Sequence, residues 1–464
     1  MGGAFGSRAD GAASFVLAGV RVVDPAEGTE TVRDLAVVDG RIADPAEGPA
    51  RDARRIDAAG LVASPGLCDL HAHLREPGGE GSETVESGAR AAAHGGFTTV
   101  CAMPNTEPPL DEPARVAWVA ALGGGTPTRI RVIAAATLGR AGETLTDAGR
   151  LASAGAVGFS DDGAAMPTAS LARGALLALL PTGLPLIEHA EDPTLSAGTL
   201  MRAGPTATRL GLAGWPSSAE LTIVERDLAL AEETGGRLHL THLSTAAALE
   251  AVRRAKERGV RVTCDVAPHH LALTDAWVAG DRGFAWEEPG PLAADPFDAP
   301  IDRDLAYDGS CRVNPPLTTR RDALALLDGV ATGTVDAIAT DHAPHPAERT
   351  AVEFAAAAPG MIGLETALSL GLAAVAAGCL TLPQLLGALS TRPAALIGEE
   401  RSLQTGAVAD LVVFNPTASW LVDRPSLFSR SSNTPLLGRE LPGVVRLTLT
   451  GGRVTFDDGL GLLR

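Results

Sequence analysis

The sequence contains one lysine, Lys256, among its 38 basic residues, so arginine carries almost all of its positive charge. No uninterrupted apolar run is long enough to cross a bilayer, which excludes a transmembrane helix. The first ten residues lack a basic stretch followed by an apolar segment, so export is not expected. The formal net charge of −18 argues against a nucleic-acid partner, which would favour a basic face.

Cysteine is also scarce, and its spacing excludes a common kind of metal site. The five cysteines are odd in number and never form a Cys-x-x-Cys pair. We therefore expect buried free thiols in a cytoplasmic protein, and no cysteine-based zinc site.

The two ends of the chain share a β-rich pattern. Residues 1–13 are predicted to be a disordered lead. Short apolar runs then alternate with turns, and Asp39-Gly40 is a strong hairpin signal. Similar runs recur after residue 396. We predict one small β-sandwich domain built from residues 14–63 and 396–464.

Residues 64–395 alternate strand-like and helix-like segments, the pattern of an α/β protein with a parallel sheet. The predicted strands are 66–72, 97–103, 129–136, 155–160, 184–189, 237–243, 260–266 and 336–341. This count and length predict a (β/α)₈ TIM barrel. The Pro- and Asp-rich stretch 279–309 is predicted to be a loop insertion between strands seven and eight.

The sequence His71-Ala72-His73 follows an apolar run and is predicted to end the first barrel strand. Side chains alternate along a strand, so both histidines point the same way, about 7 Å apart, and can bind one metal ion. Arg75 lies just beyond, where a guanidinium can hold a substrate carboxylate with two hydrogen bonds.

Chemistry in such barrels gathers at the carboxyl ends of the strands, and further metal-type side chains occur there. These candidates are Asp161, Asp162, His189, His242, Asp341 and His345. By strand alternation, His239 and His342 are predicted to face away from the site, and Asp69 to have a structural role. Either His269 or His270 could also line the site.

Several of these motifs, taken together, resemble those of a known protein family. The stretch 65–78 closely resembles the signature of dihydroorotases in the amidohydrolase superfamily. Further stretches agree with that family in the same order along the chain: 102–106, 159–163, 313–317, 340–345 and 432–435. The resemblance implies six metal ligands: His71, His73, Asp162, His189, His242 and Asp341. It also implies that His73, Arg75, Asn105, Asn314, His345, Pro359 and Gly360 contact substrate, with Asp341 as the catalytic proton carrier. Pro359 departs from the family pattern, in which an aromatic residue is expected.

The single lysine bears on the subtype. Many relatives bridge two metals with a carboxylated lysine on strand four, and this strand has none. The resemblance therefore implies an aspartate bridge, with Asp162 preferred over Asp161. Two zinc ions are expected, although one is possible.

The implied reaction is the zinc-dependent interconversion of N-carbamoyl-L-aspartate and dihydroorotate in pyrimidine biosynthesis. A hydantoinase- or allantoinase-like amidase is the first alternative. The second is a non-catalytic scaffold of aspartate carbamoyltransferase. A homo-oligomer and a complex with that transcarbamoylase are also expected from the resemblance.

Overall fold

The computed structural model describes residues 3–6, 11–288, 301–302 and 304–463. The strands are β1 (Ala4–Phe5), β2 (Phe15–Asp24), β3 (Thr29–Val38), β4 (Arg41–Ala43), β5 (Arg55–Asp57), β6 (Val62–Pro65), β7 (Leu67–Ala72), β8 (Phe97–Ala102), β9 (Arg129–Ala135), β10 (Ala156–Ser160), β11 (Leu186–Glu188), β12 (Met201–Arg202), β13 (Gly214–Trp215), β14 (Leu238–Leu240), β15 (Val262–Val266), β16 (Ala337–Ile338), β17 (Leu411–Leu421), β18 (Glu440–Thr450) and β19 (Arg453–Asp457).

The α-helices are α1 (Val85–His94), α2 (Pro113–Leu122), α3 (Ala148–Ser153), α4 (Ala169–Leu179), α5 (Pro193–Ser196), α6 (Pro205–Leu210), α7 (Ser218–Thr234), α8 (Ala246–Glu257), α9 (Pro268–Ala272), α10 (Arg320–Thr332), α11 (Ala347–Thr350), α12 (Ala367–Ala376), α13 (Leu382–Leu386) and α14 (Arg392–Leu396). Among the residues described, no helix combines the length and apolar character needed to cross a membrane.

Eight parallel strands form the barrel, in the order β16-β15-β14-β11-β10-β9-β8-β7. The ring closes at its carboxyl end, where the His73 backbone N–H donates to the His342 carbonyl at 2.8 Å. Side chains such as Cys68, Ile133 and Ile187 fill the interior, and a larger apolar cluster lies between the strands and the helices. The predicted (β/α)₈ barrel is confirmed, and its carboxyl end positions the site.

Threonine caps fix where several barrel helices begin. Thr84, Thr168, Thr245 and Thr319 each accept a hydrogen bond from the first-turn backbone of α1, α4, α8 and α10. Such caps satisfy amides that the helix leaves unpaired. Each cap therefore ends the loop that follows a strand tip, and those loops carry the site.

The strands of the two chain ends form one connected sheet, in the order β1-β19-β18-β17-β6-β2-β3-β4, with β5 paired to β2. The strands predicted to form the small β-sandwich domain are therefore hydrogen-bonded into one continuous sheet. Its two halves still share a core, because Phe15, Leu35, Leu411 and Leu447 belong to one buried cluster. The domain boundaries at 63/64 and 395/396 stay a prediction.

The expectation of a disordered lead is wrong for Ala4–Phe5. These residues pair antiparallel with β19, and the Phe5 ring packs 4.8 Å from Phe428 and 5.3 Å from Phe456, measured between ring centroids. Aromatic burial holds this short strand in place. In the predicted 279–309 insertion, residues 289–300 and 303 lie outside the described residues.

Candidate active site

Six side chains meet at the carboxyl end of the barrel, and we call them the donor cluster. They are His71, His73, Asp162, His189, His242 and Asp341, each buried. They come from β7 and from the turns that follow β10, β11, β14 and β16. The structure thus brings together all six residues that the sequence resemblance implied as ligands.

Asp162 lies between the histidines of the donor cluster. Its Oδ1 is 3.5 Å from His71 Nε2, 3.5 Å from His242 Nε2 and 3.7 Å from His189 Nδ1. Its Oδ2 is 3.6 Å from His73 Nε2. The two carboxylate oxygens therefore face different histidines, as a bridging ligand requires.

Asp341 lies on the other side of the first two histidines. Its Oδ1 is 3.3 Å from His73 Nε2 and 3.6 Å from His71 Nε2. Two trios of donor atoms, each within 4.8 Å of one another, result: His71, His73, Asp341 and His71, Asp162, His242. They share His71.

The donor set fits a metal ion on a direct observation. His71 Nε2 and Asp162 Oδ1 are buried and lack a hydrogen-bond partner. Buried polar atoms are seldom left unsatisfied, and imidazole nitrogens with carboxylate oxygens are ligands that zinc accepts.

Hydrogen bonds behind two histidines set which ring nitrogen faces the cluster. His73 Nδ1–H donates to Asn105 Oδ1 at 2.8 Å. His71 Nδ1–H donates to Thr241 Oγ1 at 2.8 Å, and the Thr241 hydroxyl donates to Asp265 at 3.1 Å. Both rings therefore direct Nε2 into the cluster, which is the nitrogen that a bound cation would meet in the neutral ring.

Glu191 holds the His189 ring by Nε2 rather than by Nδ1, and the sequence analysis missed this role of Glu191. His189 Nε2–H donates to Glu191 Oε2 at 2.7 Å, so Nδ1 faces Asp162. Asn314 Nδ2 donates to the same Glu191 oxygen at 2.7 Å. The sequence did offer one signal for this contact, since Glu191 follows His189 by only two residues.

Replacing Glu191 with glutamine is expected to weaken metal binding by the donor cluster about 10- to 100-fold, because the charged acceptor that orients His189 is lost. The measurement is zinc affinity by competition with a chelator. The exposed Glu143→Gln serves as the matched control. Equal zinc affinity in the two variants would contradict this role for Glu191.

The charges of the cluster support one another. Burial opposes ionisation of Asp162, yet the charge of His71 and the nearby His189 and His242 rings hold its pKa well below the usual range. Burial likewise disfavours a charged His71, but Asp162 and Asp341 raise its pKa to about 9. Despite burial, His73 and its neighbours lower the pKa of Asp341. Both carboxylates are therefore ionised at neutral pH.

Three residues at the site have left-handed backbone. The φ angles are +60° at Arg75, +38° at His242 and +46° at Asp341. Such a conformation costs a non-glycine residue about 1–3 kcal/mol and is concentrated at functional sites. At His242 it turns the chain out of β14, which ends at Leu240 rather than at the predicted residue 243.

That turn explains one wrong expectation. His239 does not face outward: it lies in register with Ile187, whose side chain fills the barrel interior, and its Nε2 lies 2.8 Å from Asp265 Oδ2. The prediction assumed that side chains alternate without a break from His239 to His242. The assumption fails because β14 ends at Leu240, before His242. His342 does point away from the cluster, with its Nε2 3.1 Å from Glu83.

The remaining candidates are also found close by. Asp161 accepts from the backbone N–H groups of Ala136 and Thr137, as expected of a structural residue. Asp69 accepts from Thr340 in the same way. Of the two histidines in α9, His270 donates to the Pro315 carbonyl, whereas the buried His269 Nε2 has no partner.

Next to the donor cluster lies a group that we call the cradle: Arg75, His345, Pro359 and Gly360. Arg75 Nε donates to the Pro344 carbonyl at 3.3 Å, and its Nη2 is 3.5 Å from His345 Nε2. His345 Nε2–H donates to the Pro359 carbonyl at 3.0 Å. Burial lowers the pKa of Arg75 only to about 10, so it stays charged.

Two predicted substrate contacts lie against the cluster instead. Asn105 bonds His73 and Asp162, and Asn314 bonds Glu191. Beside Asn314 and Glu191 opens a cleft of about 300 Å³. The site therefore combines a donor cluster of the kind that can hold a cation with a fixed guanidinium, and the cleft adjoins the cluster on its Glu191 side.

Similarity to known proteins identifies the family. The chain is 45% identical over 445 residues to a dihydroorotase of Anaeromyxobacter sp. (strain K), covering 95% of this chain and 97% of that protein. This chain belongs to the dihydroorotase family. A dihydroorotase of Pelotomaculum thermopropionicum is 44% identical over 96% of this chain and 99% of its own length. The dihydro-orotase-like family model matches residues 60–248.

Solved structures show that the dihydroorotase-family fold extends to hydantoinases. L-hydantoinase (dihydropyrimidinase) from Arthrobacter aurescens superposes with a TM-score of 0.79 at 24% identity, covering 96% of each chain. D-hydantoinase from Thermus sp. gives 0.74 at 23% identity, again over 96% of each chain. At this identity the likeness concerns the fold alone.

Proposed function

We propose that this dihydroorotase-family enzyme interconverts N-carbamoyl-L-aspartate and (S)-dihydroorotate plus water, a ring closure of pyrimidine biosynthesis. The observation that carries the proposal is the donor cluster beside the charged Arg75, 3.5 Å from His345. A cyclic amide with a carboxylate substituent needs both parts, one at the scissile bond and one at the carboxylate. The identity to curated dihydroorotases supports this substrate.

The proposed cofactor is zinc, bound by the donor cluster. Two ions are favoured, because the two carboxylate oxygens of Asp162 face different histidines. When bound, zinc lowers the pKa of water and polarises a carbonyl group.

Asp341 is the proposed proton carrier. It is ionised and buried, with His73 Nε2 at 3.3 Å and His71 Nε2 at 3.6 Å. In hydrolysis its carboxylate takes the proton from the attacking water and returns it to the departing amide nitrogen. In ring closure it takes the proton from the carbamoyl nitrogen, and the water leaves.

The cradle residues are proposed to hold the substrate. Arg75 pairs with the α-carboxylate, and Asn105 and His345 complete its contacts. Asn314 and the Pro359–Gly360 backbone contact the ring or the carbamoyl end. An added Cβ at Gly360 would lie 2.7 Å from Ala343 Cβ and 3.2 Å from His345 Nε2, which supports a close-fitting wall here.

Arg75→Lys is expected to raise KM for dihydroorotate about tenfold or more while kcat changes little. An ammonium keeps the charge but loses the two-pronged fit to a carboxylate. Steady-state kinetics measure the effect, and the exposed Arg173→Lys is the matched control. An unchanged KM would remove Arg75 from the carboxylate site.

The rival function is a hydantoinase- or allantoinase-like cyclic amidase. It is the weaker candidate, because β10 carries no lysine, and Lys256 on α8 bonds the Thr334 carbonyl at 2.7 Å instead. Assaying the metal-loaded enzyme on dihydroorotate, hydantoin and allantoin tests the proposal. Turnover of hydantoin or allantoin above that of dihydroorotate would refute it.

A non-catalytic scaffold of aspartate carbamoyltransferase is a weaker alternative, since all six donors are present and buried. An active complex with that transcarbamoylase, and a homo-oligomer, remain proposals that activity and mass measurements with the partner test. A cytoplasmic location is supported by the five free cysteines.

A further inference from the structure

Asn433 lies in the connection between β17 and β18, residues 422–439, in the part of the chain predicted to belong to the small β domain. The strands on either side pair with each other, with Leu421 opposite Glu440. Their connection nevertheless reaches the mouth of the barrel. The stretch 432–435 agrees with the family pattern, yet the function proposed above gives it no role.

The Asn433 side chain is 4% exposed and uses all of its hydrogen-bonding groups on two cradle loops. Its Oδ1 accepts from the His345 backbone N–H at 3.0 Å. Its Nδ2 donates to the carbonyls of Ala343 and Gly360, both at 2.9 Å. Its backbone carbonyl accepts from Ile362 N–H at 3.0 Å.

These four bonds tie together the loop after β16, which carries His345, and the loop that carries Pro359 and Gly360. Both loops contribute residues to the cradle. His345 Nε2 reaches the Pro359 carbonyl at 3.0 Å and Arg75 Nη2 at 3.5 Å only while the separation of the two loops is kept.

The connection itself is anchored by two buried carboxylates. Glu83 accepts from Arg430 N–H at 3.2 Å, and Glu365 accepts from Phe428 N–H at 2.8 Å. Glu83 also lies 3.1 Å from His342 Nε2, next to Asp341. A buried asparagine on such a fixed segment can set a distance between loops, because moving it would leave several polar groups unsatisfied.

We propose that Asn433 is a positioning residue of the cradle, which sets the separation of the His345 and Gly360 loops and thereby the affinity for the substrate carboxylate. This inference rests on the proposed function. Through Asn433, a segment outside the barrel determines how well the barrel site binds.

Asn433→Ala is expected to raise KM for dihydroorotate roughly 10- to 100-fold, with zinc content unchanged and kcat within about threefold. Hydrogen–deuterium exchange should accelerate at two backbone amides. The His345 amide loses its acceptor, the Asn433 side-chain oxygen, and the Ile362 amide keeps an acceptor, the residue 433 carbonyl, that the side chain no longer holds in place. The matched control is Asn415→Ala, because Asn415 in β17 also bonds backbone, at Thr417 and Ala418, away from the cradle.

A second variant covers the case in which Asn433→Ala does not fold. Asn433→Asp fills the same volume and keeps the bond to His345 N–H, but sets a carboxylate oxygen against the Ala343 and Gly360 carbonyls. Its KM should rise at least as much as in the alanine variant. A wild-type KM in Asn433→Asp would overturn the proposal.

The remaining outcomes are also decisive. Equal kinetics in Asn433→Ala and Asn415→Ala would overturn the positioning role. If the wild-type enzyme does not turn over dihydroorotate, the proposed function fails, and exchange alone then tests the inference. Faster exchange confined to the two cradle loops supports it, and unchanged exchange overturns it.

Discussion

Asp341→Asn is expected to bind zinc like the wild type and to lose kcat by about 10²- to 10⁴-fold, the usual contribution of a positioned general acid–base group. Asparagine has nearly the same size, and its amide oxygen can still face His71 and His73 across 3.3–3.6 Å. It cannot accept the proton that the reaction must move. The measurements are kcat on dihydroorotate and zinc content of the purified variant.

The control for that variant lies on the same strand region. Asp336, just before β16, bonds Cys264 N–H at 2.8 Å and lies away from the cluster. Asp336→Asn should retain kcat even if it unfolds at a lower temperature. If Asp341→Asn keeps wild-type turnover, the proton must be carried by another group.

The second large effect is expected for Asp162→Ala. Removing this carboxylate takes away the charge that four histidines face at 3.5–3.7 Å. Loss of residues that only orient a ligand costs about 10- to 100-fold in metal affinity, so loss of a bridging ligand should exceed 100-fold. Zinc content by elemental analysis and kcat/KM should fall together.

Asp161→Asn is the matched comparison at the neighbouring position. Asp161 supports the backbone of Ala136 and Thr137 at 3.0 Å, so its variant should lose stability while keeping zinc. The reverse result, with zinc lost from the Asp161 variant and retained in Asp162→Ala, would exchange the two roles.

Much of this site could be predicted from the sequence, because strand tips in a parallel barrel converge. The alternation of strands and helices predicted the barrel, and metal-type residues at the tips predicted the donor cluster. The choice of Asp162 over Asp161 agrees with the geometry, since only Asp162 lies among the histidines.

Other features could not be predicted because they depend on where the chain leaves regular structure. His239 was assigned the wrong face because the left-handed turn at His242 breaks the alternation of the strand. Ala4–Phe5 pairs with a strand more than 400 residues away, and nothing local in the lead indicates it. Glu191 was in view, but its role requires knowing which ring nitrogen of His189 it contacts.

The sequence by itself determined the family, the barrel and the identity of the donors, since these follow from periodicity and from short motifs. Only the tertiary structure decided how the donors are oriented and how the cradle is held. Those features depend on contacts such as His71 with Thr241, His189 with Glu191, and Asn433 with His345. Directional hydrogen bonds between distant segments fix them, and no local pattern encodes that geometry.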